Sequence, residues 1–231
     1  MAGTFWVLLA LALNAADDSE ADRAPRALTG GWRIAPAVLG VAAVAALVAC
    51  YVLAYGPVTL VQAALVRAET ERTADARVNA LLDAAAADPL SAEPWAEIGA
   101  IELERLKTDP KSAASRERFM MAATRMVELR PRSSATCRLA ASWYTQLFAV
   151  EQDPSLAKVA VKLFQRAVEL YPTLPALRAE YALSLEQVGQ PREAREQIHV
   201  ALELDAKTPH PDKKLSPELR ARLAALQERL R

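Results

Sequence analysis

The sequence has few of the residue types from which metal sites and disulfide frameworks are built. Its 231 residues include two cysteines, Cys50 and Cys137, and two histidines, His199 and His210. Neither histidine has a cysteine, a second histidine or a carboxylate at the spacing of metal ligands. Two cysteines do not provide a disulfide framework. We therefore predict that the chain has no metal site and no disulfide bond.

Short motifs typical of common active sites are also missing. The sequence contains no Gly-rich phosphate loop, no GxSxG elbow and no CxxC pair. Its acidic residues are spread along helical segments, often with arginine three or four positions away, which is typical of solvated helix faces. We therefore predict that the chain is not an enzyme, that it has no catalytic residues and that it binds no cofactor.

Neither sign of charge is in excess, because 28 basic residues balance 28 acidic ones. This balance argues against a broad electrostatic surface for nucleic acid. Glycine is scarce, with seven residues in the chain, and alanine, leucine, glutamate and arginine are abundant, which favours helix over strand. The composition therefore predicts an all-α fold without a nucleic-acid partner.

Charged side chains are absent from one long stretch, since no Asp, Glu, Lys, Arg or His occurs between Ile34 and Val66. A helix over Ile34–Tyr55 would be about 33 Å long at ~1.5 Å per residue, which matches a hydrocarbon core of about 30 Å. We predict a transmembrane helix over residues 34–56, with the lipid bilayer as its partner along Ile34–Tyr55. Gly56-Pro57 is predicted to end or kink that helix.

The segments on either side of this span carry weaker signals. Residues 1–16 are apolar and uncharged but shorter than the roughly 17–25 residues of a spanning helix, so a partial membrane helix and a signal-like segment both remain open. Residues 17–33 are predicted to form a polar loop. Val58–Ala87 is predicted to be one long helix, and residues 57–89 are either a rigid stalk or a degenerate repeat.

A pattern of small and bulky apolar residues occurs twice in the C-terminal half, 34 positions apart. The matching residues are Ala160 and Ala194, Phe164 and Ile198, and Ala167 and Ala201. A period of this length is typical of helical hairpins that bury their apolar faces by stacking on one another. The alanines allow two helices to approach closely, and the larger residue fills the space beside them.

This pattern resembles the tetratricopeptide repeat (TPR), whose second helix carries Ala, an aromatic residue, Ala and then Pro. The corresponding residues here are Ala160, Phe164, Ala167 and Pro172, and Gly99 matches the glycine of a first helix. The resemblance implies a right-handed solenoid of TPR-like helical hairpins over residues 90–207, after the transmembrane helix.

The last segment, residues 208–231, is predicted to contain a capping helix. Ser216 is placed to cap its N-terminus, and Pro217 suits the first helical position. Such a helix covers the exposed end of a repeat stack. A coiled-coil seam is the alternative, although two heptads are short for one.

The TPR resemblance also implies a concave groove in which a protein or peptide partner binds, lined by the first helix of each repeat. The candidate groove residues by position are Glu93, Arg138, Ser142, Gln146, Glu186 and Gln187. For each of them, an ordinary solvated side chain is the alternative interpretation. The Lys/Asn clamp with which some family members hold a peptide carboxylate is not present, which argues against a chaperone-tail receptor.

Two functions are consistent with the sequence. The first is a membrane-anchored TPR-type protein–protein interaction scaffold at a bacterial inner membrane, in a single or double pass. Arg23, Arg26 and Arg33 lie close before the span, whereas Arg67 and Arg72 follow at a distance, so the positive-inside rule predicts that the repeats lie in the periplasm. The second rests on a loose resemblance of the whole chain to the C-terminal part of bacterial O-antigen ligase or polymerase-type membrane proteins. It would make this chain a non-catalytic portion of a glycan assembly protein.

Overall fold

The computed structural model describes residues 34–230, which are helical apart from short connections and contain no strand. We number the helices α1 to α9. Their bounds are α1 Ile34–Thr70, α2 Ala74–Ala87, α3 Glu93–Thr108, α4 Ala113–Leu129, α5 Ser134–Glu151, α6 Pro154–Leu170, α7 Pro175–Gln187, α8 Pro191–Lys207 and α9 Pro217–Arg229. A short 3-10 helix, Pro211–Lys213, lies between α8 and α9. The prediction of an all-α chain is confirmed for these residues.

The chain divides into two compact units between Tyr55 and Gly56. In the first unit, α1 leaves its large apolar side chains exposed, for example Val41 at 71% and Leu53 at 77%. By length and composition alone, the segment Gly40–Thr70 could cross a membrane, and its most apolar window is not buried against protein. This is the one such helix among residues 34–230.

The boundaries of α1 differ from those expected from the sequence. The helix does not end at Gly56-Pro57 but continues to Thr70, and the Thr59 hydroxyl donates to the Gly56 carbonyl at 2.9 Å. The prediction of one helix over Val58–Ala87 is wrong, because residues 71–73 form a break. Thr73 is extended there, with φ −113° and ψ 144°, and its side-chain oxygen accepts the N–H of Ala76, so a new helix begins.

In the second unit, successive helices pair into hairpins, α3 with α4, α5 with α6 and α7 with α8. Polar N-cap residues begin the second helices of these hairpins. Ser112 accepts the N–H of Ser115 at the start of α4, and Asp153 accepts the N–H of Ser155 at the start of α6. The sequence predicts helices over Ala114–Leu129, Ser134–Val150 and Leu156–Tyr171, and these agree with the bounds of α4, α5 and α6 to within two residues.

The core is a series of apolar clusters that pass from one hairpin to the next. Fully buried alanines occupy the points where helices cross, and larger residues fill the space around them. One cluster contains Cys137 and Ala141 of α5, Phe164 and Ala167 of α6, and Leu177 of α7. The next joins α7 and α8 to α9. Of the residues that repeat in the sequence, Phe164 and Ala167 therefore join neighbouring hairpins, and Ile198 and Ala201 join the last hairpin to α9.

The side chain of Trp143 on α5 leaves no room for a Cβ atom at Gly99 of α3. A Cβ atom at position 99 would lie 2.5 Å from the indole ring, closer than real contacts allow. The indole is itself packed near Phe119, with ring centroids 6.3 Å apart, so it has little room to move. The glycine therefore permits two first helices of neighbouring hairpins to come together.

The sequence predicted that charged residues lie on solvated helix faces. Some of them do not. Glu102 of α3 has no exposed surface, and Arg118 of α4 donates its Nε–H to Glu102 Oε1 at 2.6 Å. Arg105 contacts the same oxygen at 3.4 Å and reaches Asp75 of α2 at 2.7 Å. This network connects three helices, and its two guanidinium groups offset the burial of the carboxylate at Oε1, whereas Oε2 is buried without a hydrogen-bond partner.

The C-terminal helix packs against the end of the stack. Leu223 and Leu226 of α9 are fully buried against α7 and α8, and Ser216 accepts the N–H of Leu219, which confirms the predicted cap. Asp205 at the end of α8 accepts the N–H of Leu215 and a hydrogen bond from Arg220, both at 2.7 Å. Asp205 thus holds both the connecting segment and α9.

Replacing Ala167 with leucine should destabilise the repeat stack. The alanine is fully buried at a helix crossing, so the larger side chain should cost about 1–3 kcal/mol of the free energy of unfolding. Thermal unfolding of the full chain, followed by circular dichroism, measures the change. Ala149→Leu is the matched control, since Ala149 is exposed on α5 and the change should stay within about 0.5 kcal/mol. Equal melting of the two variants would show that the assignment of the crossing is wrong.

The attachment of α9 should weaken in acid because of Asp205. Burial opposes ionisation of Asp205, but hydrogen bonds from Leu215 and Arg220 outweigh it and lower the pKa of the carboxyl group. A lowered folded-state pKa means that the stabilisation is present above the unfolded value of about 3.9 and is lost as the pH falls through the folded value. Amide hydrogen exchange in α9 should therefore accelerate at low pH.

In Asp205→Asn, exchange in α9 should already be faster at pH 7 and should change less with pH. The loss of a charged hydrogen-bond acceptor should cost about 1–3 kcal/mol. Asp212→Asn, in the exposed 3-10 helix, is the control and should behave like the unchanged protein. If Asp205→Asn left exchange in α9 unaltered at pH 7, this carboxylate would not be what holds the helix.

Candidate functional site

A groove in the second unit lies between α5 and α7 and has a volume of about 640 Å³. Its lining comes from the first half of α5, the turn that follows α6 and the start of α7. We call it the α5–α7 groove. It is lined by Ser134, Ala135, Arg138, Leu139, Ser142, Tyr171, Leu174 and Glu180. Two of the predicted groove residues, Arg138 and Ser142, are among them.

An ion pair connects the two helices of this groove. Arg138 on α5 donates two hydrogen bonds to the Glu180 carboxylate on α7, from Nε at 2.6 Å and from Nη2 at 2.5 Å. The hydrogen bonds to Glu180 raise the pKa of the Arg138 guanidinium, although partial burial opposes that shift. The side chains are 38% and 26% exposed, so the pair lies at the edge of the groove rather than in the core.

The two serine hydroxyl groups of the groove donate hydrogen bonds within the chain. Ser134 donates to the carbonyl of Ala167 at 2.9 Å, which fastens α5 to the end of α6. Ser142 donates to the carbonyl of Leu139 in its own helix at 2.8 Å. Neither hydroxyl therefore offers its proton to a ligand without giving up a bond that already exists.

The remaining lining is apolar and partly exposed. Tyr171 is 47% exposed and Leu139 is 40% exposed, and both are large enough to cover an incoming side chain. Ala135 and Leu174 complete the apolar surface. Exposed apolar groups of this size, gathered in one concavity, are typical of binding sites rather than of ordinary surface.

The other predicted groove residues lie elsewhere. Gln146 is exposed on α5 but does not line the groove. Glu186 pairs with Arg229 of α9 at 3.3 Å, so it faces the capping helix. Gln187 ends α7, and its Oε1 is buried without a hydrogen-bond partner. The six candidates therefore do not form one site.

Glu93 lines a separate, smaller cavity of about 290 Å³ between the end of α1, α2 and α3. The Glu93 carboxylate lies 3.7 Å from the guanidinium of Arg130, which is in the turn before α5. Glu69, Glu97 and Arg77 also line this cavity, and Arg77 Nε is buried without a hydrogen-bond partner. The cavity has both signs of charge, which does not single out one class of ligand.

The described residues offer no arrangement typical of catalysis. No group of three or more His, Cys, Asp or Glu side chains that could hold a metal ion occurs within residues 34–230. Cys137 is buried, and burial raises the pKa of its thiol, so it is a poor nucleophile. The α5–α7 groove has a shape suited to binding, with an ion pair and no adjacent general base.

Three important groove residues were not found from the sequence: Tyr171, Leu174 and Glu180. Tyr171 and Leu174 lie in a turn, which repeat patterns do not assign to the groove. Glu180 has a weak signal, because it lies 42 positions after Arg138, close to the 41 positions that separate Pro131 and Pro172 at the ends of two successive second helices. An acidic residue about one repeat away from an arginine is a candidate for pairing across neighbouring first helices.

A scan against protein-family models and a search of curated proteins each found no match. Among solved structures, the chain is similar to a crystal structure of MamA protein, with 16% sequence identity and a TM-score of 0.51. The match covers 72% of this chain and 83% of the other. It is also similar to TTC0263, a thermophilic TPR protein of Thermus thermophilus, with 18% identity and a TM-score of 0.47. That match covers 74% of this chain and 82% of the other.

At these identities, similarity to the MamA structure bears on the fold alone. It agrees with the stacked helical hairpins described above, which resemble TPR solenoids. The repeat signature predicted this architecture from Ala160, Phe164 and Ala167, and their burial between hairpins is its physical basis.

Proposed function

We propose that the chain is a membrane-anchored scaffold that binds a protein or peptide partner in the α5–α7 groove. The observation that carries this proposal is the groove itself. It combines an open volume of about 640 Å³ with exposed apolar side chains, on a stack of hairpins that has no other evident use for them. Pockets of about 300–1,000 Å³ with mainly apolar linings are typical binding sites.

The stack is well suited to holding such a site rigid. Each wall of the groove belongs to a different hairpin, and the clusters beneath it join α5, α6 and α7. Binding residues on helices held by a packed core keep their positions better than residues on free loops. A partner would therefore meet a preformed surface and lose little free energy in ordering it.

The membrane anchor is the second part of the proposal. Its support is the uncharged stretch from Ile34 to Val66 and the exposure of the apolar side chains of α1. Exposed valine and leucine along several turns of helix are unfavourable in water and favourable in lipid. We place the anchor in a bacterial inner membrane and the repeats in the periplasm, the latter from the arginines that precede the span.

The alternative of a non-catalytic portion of an O-antigen ligase-like protein gains no support from these observations. The two similar structures described above are not named as glycan assembly proteins. The α5–α7 groove is mainly apolar, with one internal ion pair. We therefore favour the scaffold.

The anchor can be tested by carbonate extraction of membranes from cells that express the full chain. The unchanged protein should stay in the membrane fraction. Leu47→Arg, near the middle of the span, should lower insertion because an arginine there costs roughly 2.5–3.5 kcal/mol. Lys111→Ala in the turn between α3 and α4 is the control. Release of the unchanged protein by carbonate would refute the anchor, and protection of the repeats from protease in spheroplasts would refute their periplasmic placement.

Partner binding can be tested with a photo-crosslinking amino acid at position 139 in the groove. The same amino acid at position 117, exposed on α4, provides the control. We expect adducts of one defined mass with the groove probe, and we expect that Leu174→Asp removes them. Identical adducts from both positions, or adducts that persist in Leu174→Asp, would show that the groove is not the binding site.

A further inference from the structure

We propose that the α5–α7 groove recognises an uncharged apolar side chain of its partner, of aromatic or leucine type, and that the Arg138–Glu180 pair acts as an internal strap. In this view the pair fixes the width of the groove and does not read the charge of the partner. The inference rests on the proposed function and defines the chemistry of the partner at that same site.

The first argument is electrostatic. Arg138 and Glu180 neutralise each other through two hydrogen bonds, and the other lining residues carry no charge. A charged group of a partner entering the groove would lose water and find no unpaired counter-charge there. An uncharged side chain pays no such penalty, so the neutral groove is complementary to a neutral anchor.

The second argument concerns hydrogen bonds. The hydroxyls of Ser134 and Ser142 already donate to main-chain carbonyls, at 2.9 Å and 2.8 Å. A partner side chain that accepts a hydrogen bond would have to displace these bonds to gain one from either serine, for little net free energy. Binding must then come mainly from apolar contact with Leu139, Tyr171 and Leu174.

The third argument is the position of the ion pair. Arg138 extends from α5 and Glu180 from α7, so their hydrogen bonds cross between the two walls of the groove. A guanidinium held at two points by one carboxylate has a defined geometry, which a single-point contact lacks. The pair can therefore set the spacing of the walls, with the apolar side chain of the partner lying beside it.

The experiment uses the full chain in detergent micelles, with a phage-displayed library of random 12-residue peptides as the probe. Synthetic versions of the enriched peptides are then measured by fluorescence anisotropy. We expect the peptides to share an aromatic or leucine residue, and we expect that its replacement by alanine weakens binding about tenfold or more. Raising NaCl from 0.05 M to 0.5 M should change the affinity by less than about threefold, since no ion pair forms across the interface.

Variants of the protein separate the apolar wall from the strap. Leu139→Ala and Leu174→Ala should each weaken peptide binding, while Leu90→Ala should not, because Leu90 is exposed in the turn between α2 and α3. Arg138→Glu and Glu180→Arg should each weaken binding, because like charges then face each other across the groove. The double variant Arg138→Glu/Glu180→Arg rebuilds the pair with its charges exchanged, and its affinity should return to within about threefold.

The charge-exchanged variant distinguishes the strap from charge recognition. A partner carboxylate held by Arg138, or a partner cation held by Glu180, would lose its binding site in that variant. Persistent weak binding of the double variant would overturn the inference. So would enriched peptides with a required acidic or basic residue and a strong dependence on salt, a measurement that needs no variant. In both cases a groove that binds peptides would remain, and the proposed function would stand.

Failure of the proposed function gives a different result. It would appear as no enrichment of any peptide, or as binding that Leu139→Ala and Leu174→Ala leave unchanged. Either outcome would overturn the inference together with the groove as a binding site. Circular dichroism of each variant confirms that the helices are retained before its affinity is compared.

Discussion

Close approach of helices at alanine is the constraint on which this structure depends. Ala140, Ala160, Ala167, Ala182 and Ala201 have no exposed surface, and they lie where one helix crosses another. A methyl group at the crossing brings the helix axes together, so that larger residues on either side can interlock. Without this approach the hairpins would still be amphipathic, but they would not stack at a fixed distance. The groove between α5 and α7 exists because the helices beneath it are held in this way.

The same constraint explains why polar contacts in this chain cross between hairpins. Once the axes are fixed, a long side chain on one first helix reaches the next, as Arg138 reaches Glu180. Within the α3–α4 hairpin, a similar reach brings Arg118 of α4 to the buried carboxylate of Glu102 on α3. These contacts contribute less to stability than the apolar clusters do, because the charged groups lose hydration when they pair and this cost offsets much of the electrostatic gain. Their value lies in specifying how neighbouring helices are oriented.

Features that are local and periodic were predictable from the sequence. The spacing of Ala160, Phe164 and Ala167 predicted a crossing surface, and Ser216 predicted the start of α9, because a helix or cap depends on residues a few positions apart. Three-dimensional pairings were not predictable. Glu102 looked like one more surface carboxylate, since its burial depends on Arg118 from another helix. The sequence predicted that Arg138 lies in the groove, but it did not predict the ion pair of Arg138 with Glu180. Tyr171 was missed because turns carry no repeat pattern. The break at residues 71–73 was missed because the helix was predicted from hydrophobic spacing, whereas the break is marked by Thr73, whose side-chain oxygen caps α2.

The C-terminal helix has a consequence for assembly. Each hairpin of a solenoid presents an apolar surface that another hairpin can cover, so a stack has no intrinsic length and could in principle grow by adding further molecules end to end. In this chain, Leu223 and Leu226 occupy that surface on α7 and α8, and Asp205 ties the covering segment in place. Helix α9 thus covers the apolar surface on which a further hairpin would otherwise pack. A second molecule could add a hairpin to this surface of α7 and α8 only by displacing α9.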